Sequence, residues 1–421
     1  MSNRAIRRTL TGVAFATVGG LALAGCSGGA GGAGGSDGEI ELTISTFNDF
    51  GYTEELLQEY MDEHPGVKIV HNQAATSNDA RANFFQKLGN TGLADIEAIE
   101  IDWLAEGMQY SDLLAPVPEE LKGRWLDWKE AAATDAEGNL VGYGTDIGPQ
   151  GVCYRADLFA EAGLPTDREQ VAELFTTWDD LFAVGQEYVD KTGKPFLDSA
   201  NSVLQGLANQ LEVTYEEADG TVVATENPDV REMFDTVIEK GVPIAAYAGQ
   251  WSEDWYASMA NGEFAAMLCP AWMHGIIQGE APDVTGWDVA NVFPGGGGNW
   301  GGSYLVIPAN GPNVEAAQEL ADWLTSPETQ LKAFANAGTF PSQLEAYEST
   351  ELTDFTNPYF NDAPTGQIGV DRAEAVTVSP VKGPKYFQFH EALNQAVTRV
   401  FDGLETPEEA WDSWVAEVSS F

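Results

Sequence analysis

Glu41-Leu42-Thr43-Ile44-Ser45-Thr46-Phe47 alternates polar and apolar side chains and closes on an apolar residue, and Glu54 to Glu63 then carries apolar residues at helical spacing. Recurrence every second residue marks a strand, and recurrence every three to four residues marks a helix. The pattern repeats downstream: Val67 to Asn72 reads as a strand, Ala80 to Leu88 as a helix and Asp95 to Ile101 as another strand. Such alternation predicts an α/β chain with parallel strands joined by crossover helices, and open sheets of this kind bind ligands beyond the carboxyl ends of their strands. The loops Phe47-Asn48-Asp49, Thr76-Ser77-Asn78-Asp79 and Asp102-Trp103 are therefore the places where a site is expected.

Upstream, Ser27 to Gly38 is almost entirely Gly, Ala and Ser, which bury no apolar surface, so residues 26–38 read as a flexible tether. Residues 1–25 have the parts of an export signal: Arg4, Arg7 and Arg8, an apolar run from Val13 to Leu23, and small residues before Cys26. Leu23-Ala24-Gly25-Cys26 resembles the lipobox of bacterial lipoproteins, in which the cysteine thiol carries a diacylglycerol. The expectation is a protein held on the extracellular face of the cell membrane through Cys26, with no other membrane contact. Arg7-Arg8-Thr9-Leu10-Thr11 also resembles a twin-arginine signal, which leaves the export route open.

The chain has 421 residues, too many for one core and about right for two packed domains. Its 66 acidic and 20 basic residues give a formal net charge of −46, more negative still without the basic leader. That surface repels nucleic acid and anionic lipid and argues against a polyanionic ligand. Cys153 and Cys269 lie in the apolar runs Gly151-Val152-Cys153-Tyr154 and Ala265-Ala266-Met267-Leu268-Cys269, which read as buried strands. In an oxidising compartment they bond if those strands are neighbours, and otherwise stay as inert thiols. The four histidines are scattered and no Cys/His cluster has metal-site spacing, so neither a metal nor a cofactor is expected.

Beyond the first half, glycines and prolines break the chain at Gly142 to Pro149, at Pro294 to Gly302 and near Phe340-Pro341-Ser342. Val152-Cys153-Tyr154-Arg155-Ala156-Asp157-Leu158-Phe159, then Ala162-Gly163-Leu164-Pro165 and Thr177-Trp178-Asp179-Asp180-Leu181, resemble the mid-chain signature of extracellular sugar-binding proteins of ABC importers. Asn261-Gly262-Glu263-Phe264-Ala265-Ala266-Met267 with Trp272 is similar to a second signature of that family. Gly301 to Pro308, the helix Glu315 to Leu324 and Phe340-Pro341-Ser342 resemble a third. In order and spacing the likeness covers nearly all of the mature chain. It implies an α/β, two-lobed periplasmic-binding-protein-like fold, as in maltose-binding protein, with three inter-lobe crossovers and a ligand cleft between the lobes. The crossovers would lie near Gly148 to Tyr154, Gly301 to Ile307 and Pro341 to Leu344. The first lobe would then hold residues 39–147 plus 304–341 and the second 148–303 plus 342–421.

A sugar makes its own demands on such a cleft. A pyranose has apolar C–H faces and a rim of hydroxyls, so its site needs aromatic planes for the faces and carboxylates or amides for the rim. Trp272 and Trp300 sit on short turns beside proline or glycines and are the expected stacking planes. Trp178, Trp323, Trp411 and Trp414 lie at helical spacing among apolar neighbours and read as core. Hydroxyl partners are expected at Asn48, Asp49, Asp79, Asp102 and Asp146 from the first lobe and at Asp198 and Asn201 from the second, with Tyr386 and Gln388 after Pro384.

The expected protein is a monomeric, non-enzymatic receptor that captures an oligosaccharide by hinge closure and hands it to ABC permease subunits driven by a cytoplasmic ATPase. Thr145-Asp146-Ile147-Gly148 to Tyr154-Arg155, with Leu164 to Arg168, most resembles actinobacterial receptors for cellobiose and cello-oligosaccharides. The rival reading is a secreted glycoside hydrolase, which would also place paired carboxylates in a sugar cleft.

Overall fold

The structure is a computed structural model that describes residues 39–421; the leader, the tether and Cys26 lie outside the described residues. The first helix, Glu54–Glu63, shows how local sequence sets an element. The Thr53 side chain accepts from the Leu56 N–H at its start, and the helix stops ahead of Pro65, which disfavours helical backbone in the residue before it. One face of it buries Leu56, Leu57 and Tyr60.

That helix joins strand β1 (Ile40–Phe47) to β2 (Val67–Ala74), and the helix Ser77–Lys87 joins β2 to β3 (Ile96–Glu100). β1 pairs in parallel with both, with Leu42 and Ile44 fully buried. The structure departs from an all-parallel sheet at β4 (Tyr143–Gly144) and β11 (Ser303–Val306), because β11 runs antiparallel to both β3 and β4. The first sheet is ordered β2-β1-β3-β11-β4.

A second sheet, ordered β10-β6-β9-β7-β8, holds β6 (Gln150–Arg155), β7 (Leu197–Ser199), β8 (Ala245–Tyr247), β9 (Ala266–Pro270) and β10 (Trp287–Ala290). It is mixed as well: β7 is parallel to β8 and β9, whereas β6 is antiparallel to β9 and β10. β6 and β9 are thus neighbours, and Cys153 and Cys269 form a disulfide across them with Cα atoms 5.5 Å apart. Phe159, Phe175 and Phe196 pack beneath this sheet with no exposed surface, each contributing about 1.5–3 kcal/mol by burial. Trp414 belongs to the same core, Trp178 and Trp411 pack against it partly buried, and Trp323 packs on the core of the first sheet.

Each sheet with its helices forms one lobe, and the chain passes between them at strand ends. The first passage runs from β4 to β6 through β5 (Asp146–Ile147), which pairs antiparallel with β12 (Phe340–Pro341) in a separate two-stranded ladder. The second runs through residues 291–302 rather than Gly301 to Ile307, since β11 is already part of the first sheet. The third follows β12 and leads to the helix Thr365–Glu374, which packs on β6. At the first passage the chains approach so closely that a Cβ on Gly148 would stand 1.7 Å from the Trp300 carbonyl oxygen. Only glycine fits there.

Candidate functional site

The carboxyl ends of strands from both sheets converge on one cleft of about 410 Å³. From the first sheet come Phe47 to Phe50 after β1, Thr76 to Asn78 after β2, and Glu100 and Asp102 at the end of β3. From the second come Asn201 and Gln205 after β7, Gly249 to Trp251 after β8, and Trp272 and Ile276 after β9. The passages add Asp146 and Trp300 to Ser303, and one long helix, Tyr386–Phe401, lays a side against the opening.

The second-lobe end of the cleft is aromatic. The Trp272 and Trp300 rings meet edge to face at 5.2 Å, and the Trp272 indole nitrogen donates to the Trp300 carbonyl at 3.0 Å. Trp251 stacks on Trp272 at 6.0 Å and meets Trp300 at 6.4 Å, making a three-indole wall. Its backbone has φ 74°, a conformation that bulky residues adopt at a cost of order 1–3 kcal/mol. Trp251 was not among the residues expected from sequence, although Gly249-Gln250-Trp251 offers the same glycine-flanked signal that marked Trp300.

The first-lobe side is polar. Asn48 lines it in a left-handed conformation (φ 47°), and Asp49 lines it while accepting the Gly51 N–H at 2.8 Å. Asp102 forms a buried ion pair with Lys382, on a segment tied to the second lobe by the Val381 N–H donating to the Glu212 carbonyl at 2.8 Å. Beside it, Glu100 accepts the Asp102 N–H at 3.0 Å through one oxygen, and its other oxygen has no partner among the described residues. Burial and the neighbouring Asp102 carboxylate hold Glu100 well above the usual carboxylate range. Asp146 accepts from the Ser303 N–H and from Thr145 Oγ1, both at 2.9 Å, and burial raises its pKa against the pull of Lys129.

Of the expected site residues, the structure brings Asn48, Asp49, Asp102, Asp146, Asn201, Trp272 and Trp300 together on the cleft. Four others stand elsewhere. Thr76 caps the helix Ser77–Lys87 by accepting the Asp79 N–H at 3.2 Å, and the Asp79 carboxylate accepts from Thr76 Oγ1 at 2.8 Å, steadying that cap instead of lining the cleft. Asp198 is fully buried behind the wall, where it accepts from Gln250 Nε2 at 2.8 Å and Trp255 Nε1 at 3.0 Å; it holds the Gln250-Trp251 turn rather than lining the cleft. Tyr386 faces the core and stacks on His390 at 5.6 Å, and Gln388 lies off the cleft-facing side of the same helix. The residues of that helix that do line the cleft are Phe387, His390, Glu391, Asn394, Gln395 and Thr398. Their spacing is that of one helical face, a signal the sequence carried.

Four more residues of the cleft lining carry a buried side-chain atom with no hydrogen-bond partner among the described residues: Asn201 Oδ1, Thr339 Oγ1, His390 Nε2 and Asn394 Oδ1. Among the described residues no lysine or arginine lines the cleft. Among the described residues the one Cys/His grouping close enough for a metal is Cys153, Cys269 and His274, and both of its sulfurs are in the disulfide. No helix of the described residues is long and apolar enough to cross a membrane.

The family model of the bacterial extracellular solute-binding proteins matches residues 55–358. The arabinooligosaccharide-binding protein of Bacillus subtilis (strain 168) is 27% identical over 431 residues, covering 94% of this chain and 96% of its own. The lactose-binding protein of Rhizobium radiobacter is 27% identical over 281 residues, 64% of each chain. A crystal structure of an extracellular solute-binding protein family 1 member shares 42% identity at a TM-score of 0.78, covering 90% of this chain and 99% of that one. The ABC transporter associated binding protein from B. animalis subsp. lactis Bl-04, solved with β-1,6-galactobiose, shares 17% at a TM-score of 0.77 over 90% of this chain and 96% of its own, a likeness of fold. The model match spans most of the described residues, and the chain belongs to the bacterial extracellular solute-binding proteins, which are receptors and not enzymes.

Proposed function

We propose that this protein is the receptor of an ABC importer and that its cleft captures a neutral oligosaccharide. The observation that carries this reading is the pairing of a three-indole wall with unpartnered polar atoms on Glu100, Asn201, Thr339, His390 and Asn394 in one cleft. Buried polar atoms are ordinarily satisfied, so such a set calls for a ligand or water rich in donors and acceptors. Indole planes next to it suit the C–H faces of sugar rings. Carboxylates without a lining lysine or arginine disfavour an anionic sugar. Relatives named for arabinooligosaccharide and lactose binding favour the same ligand class. Within it the likeness of Thr145 to Arg155 and Leu164 to Arg168 to cello-oligosaccharide receptors favours cellobiose and its longer homologues.

In the mechanism, the lobes divide at 39–147 plus 303–341 and 148–302 plus 342–421, with Ser303, the start of β11, in the first lobe, and the β5–β12 ladder acts as part of the hinge. A sugar touching both walls favours the closed form by its differential affinity, and the permease reads closure. The lipid on Cys26 keeps the receptor at the membrane. Cys26→Ser should leave an unlipidated protein, largely unprocessed or released, with sugar affinity unchanged in the purified mature domain; affinity lost with the anchor would refute the separation of tether and cleft.

A thermal-shift screen of cello-, arabino-, galacto- and malto-oligosaccharides tests the ligand class. A sugar at ~100 times its Kd adds about 2.7 kcal/mol of apparent stability. No shift from any neutral saccharide, with a clear one from a uronic-acid oligomer or a peptide, would overturn the reading.

A further inference from the structure

The side of the helix Tyr386–Phe401 that lines the cleft is longer than one sugar ring. Phe387, His390, Glu391, Asn394, Gln395 and Thr398 fall on one stripe, and from Phe387 to Thr398 that stripe runs about 16 Å, room for about three pyranose rings in line. Two of its polar atoms, His390 Nε2 and Asn394 Oδ1, are one turn apart, withdrawn from solvent and without partners among the described residues. His390 is itself buried, and its other nitrogen is engaged at 2.9 Å from Tyr215 Oη, so only Nε2 remains for a ligand. Burial depresses its pKa to about 4, so the imidazole is neutral at physiological pH and neither attracts nor repels by charge. Opposite the helix start, the Arg81 guanidinium lies 4.5 Å over the Phe387 ring, which fixes that end of the stripe against the first lobe.

We infer that this stripe is a chain-length subsite: it hydrogen-bonds successive rings of a linear, uncharged oligosaccharide, while the Trp251–Trp272–Trp300 wall stacks a ring at the other part of the cleft. The inference rests on the sugar reading and adds to it that chains longer than a disaccharide are held more tightly, with Asn394 and Gln395 setting the preference.

The test is calorimetric titration with di-, tri- and tetrasaccharides of the cello- and arabino-series, read as the ratio of disaccharide to tetrasaccharide Kd. In the wild type the ratio should be roughly tenfold or more, the product of two or three added hydrogen bonds. Asn394→Ala with Gln395→Ala should bring it toward one. Gln388→Ala, on the same helix but off the stripe, should keep the wild-type ratio. A wild-type Kd independent of length, or a double variant that weakens every length by the same factor, overturns the subsite while leaving a sugar receptor. Failure of all saccharides to bind removes the sugar reading itself, and the subsite with it.

Discussion

The two walls of the cleft are built from different chemistry. The first-lobe wall is made of strand-end loops bearing Asn48, Asp49, Ser77, Asn78, Glu100 and Asp102, all short or acidic. The second-lobe wall sets indoles on turns, held from behind by a fully buried aspartate, beside the polar stripe of the helix Tyr386–Phe401. Hydrogen-bonding groups read the directions of hydroxyls and lose their value if misplaced by an ångström, whereas a ring plane accepts any sugar with a flat apolar face. The contrast assigns selectivity to the polar wall and much of the affinity to the aromatic one.

The largest expected effect tests the aromatic wall. Trp300→Ala should weaken sugar binding by about 2–3 kcal/mol, thirty- to more than a hundredfold, by removing a ring plane. Because Trp300 is half-buried against Trp251 and Trp272, ligand-free stability should also fall, by about 1–2 kcal/mol. Titration and thermal melting of the same samples give both numbers. A stability loss larger than the affinity loss would make Trp300 a prop for Trp272 and not a platform.

A second effect tests what holds that wall. Burial raises the Asp198 carboxyl from 3.8 to about 6. The folded protein therefore binds this proton more tightly than the unfolded chain, and the group's stabilisation is complete below pH ~4 and lost as pH rises through ~6. The change is of order 2–3 kcal/mol. Urea midpoints measured from pH 4 to 7.5 should decline less steeply in Asp198→Asn than in the wild type. Parallel profiles for the two proteins would show that Asp198 does not titrate in this window.

The smallest effect separates the polar wall from its neighbour in sequence. Asp79→Ala should cost about 0.5–1 kcal/mol of stability through the helix cap, with sugar affinity unchanged. An affinity loss without a stability loss would return Asp79 to the site.

Sequence by itself determined the element types and the loops to search. Period-2 and helical spacings are local, and they placed β1 and the helix Glu54–Glu63 within a residue or two. Indoles on turns beside proline or glycines, and strand-end Asn and Asp residues, marked Trp272, Trp300, Asn48 and Asp102, all of which line the cleft. Tertiary structure decided the rest. The pairing of β6 with β9 turned two ambiguous cysteines into a disulfide, and the antiparallel entry of β11 made the first sheet mixed. The rotation of the helix Tyr386–Phe401 about its axis turned Phe387, His390 and Asn394 to the cleft and Tyr386 to the core, and packing against Trp255 drew Asp198 behind the wall. The physical reason is that spacing along the chain fixes which side chains share a face, while the burial of distant apolar partners fixes where that face points.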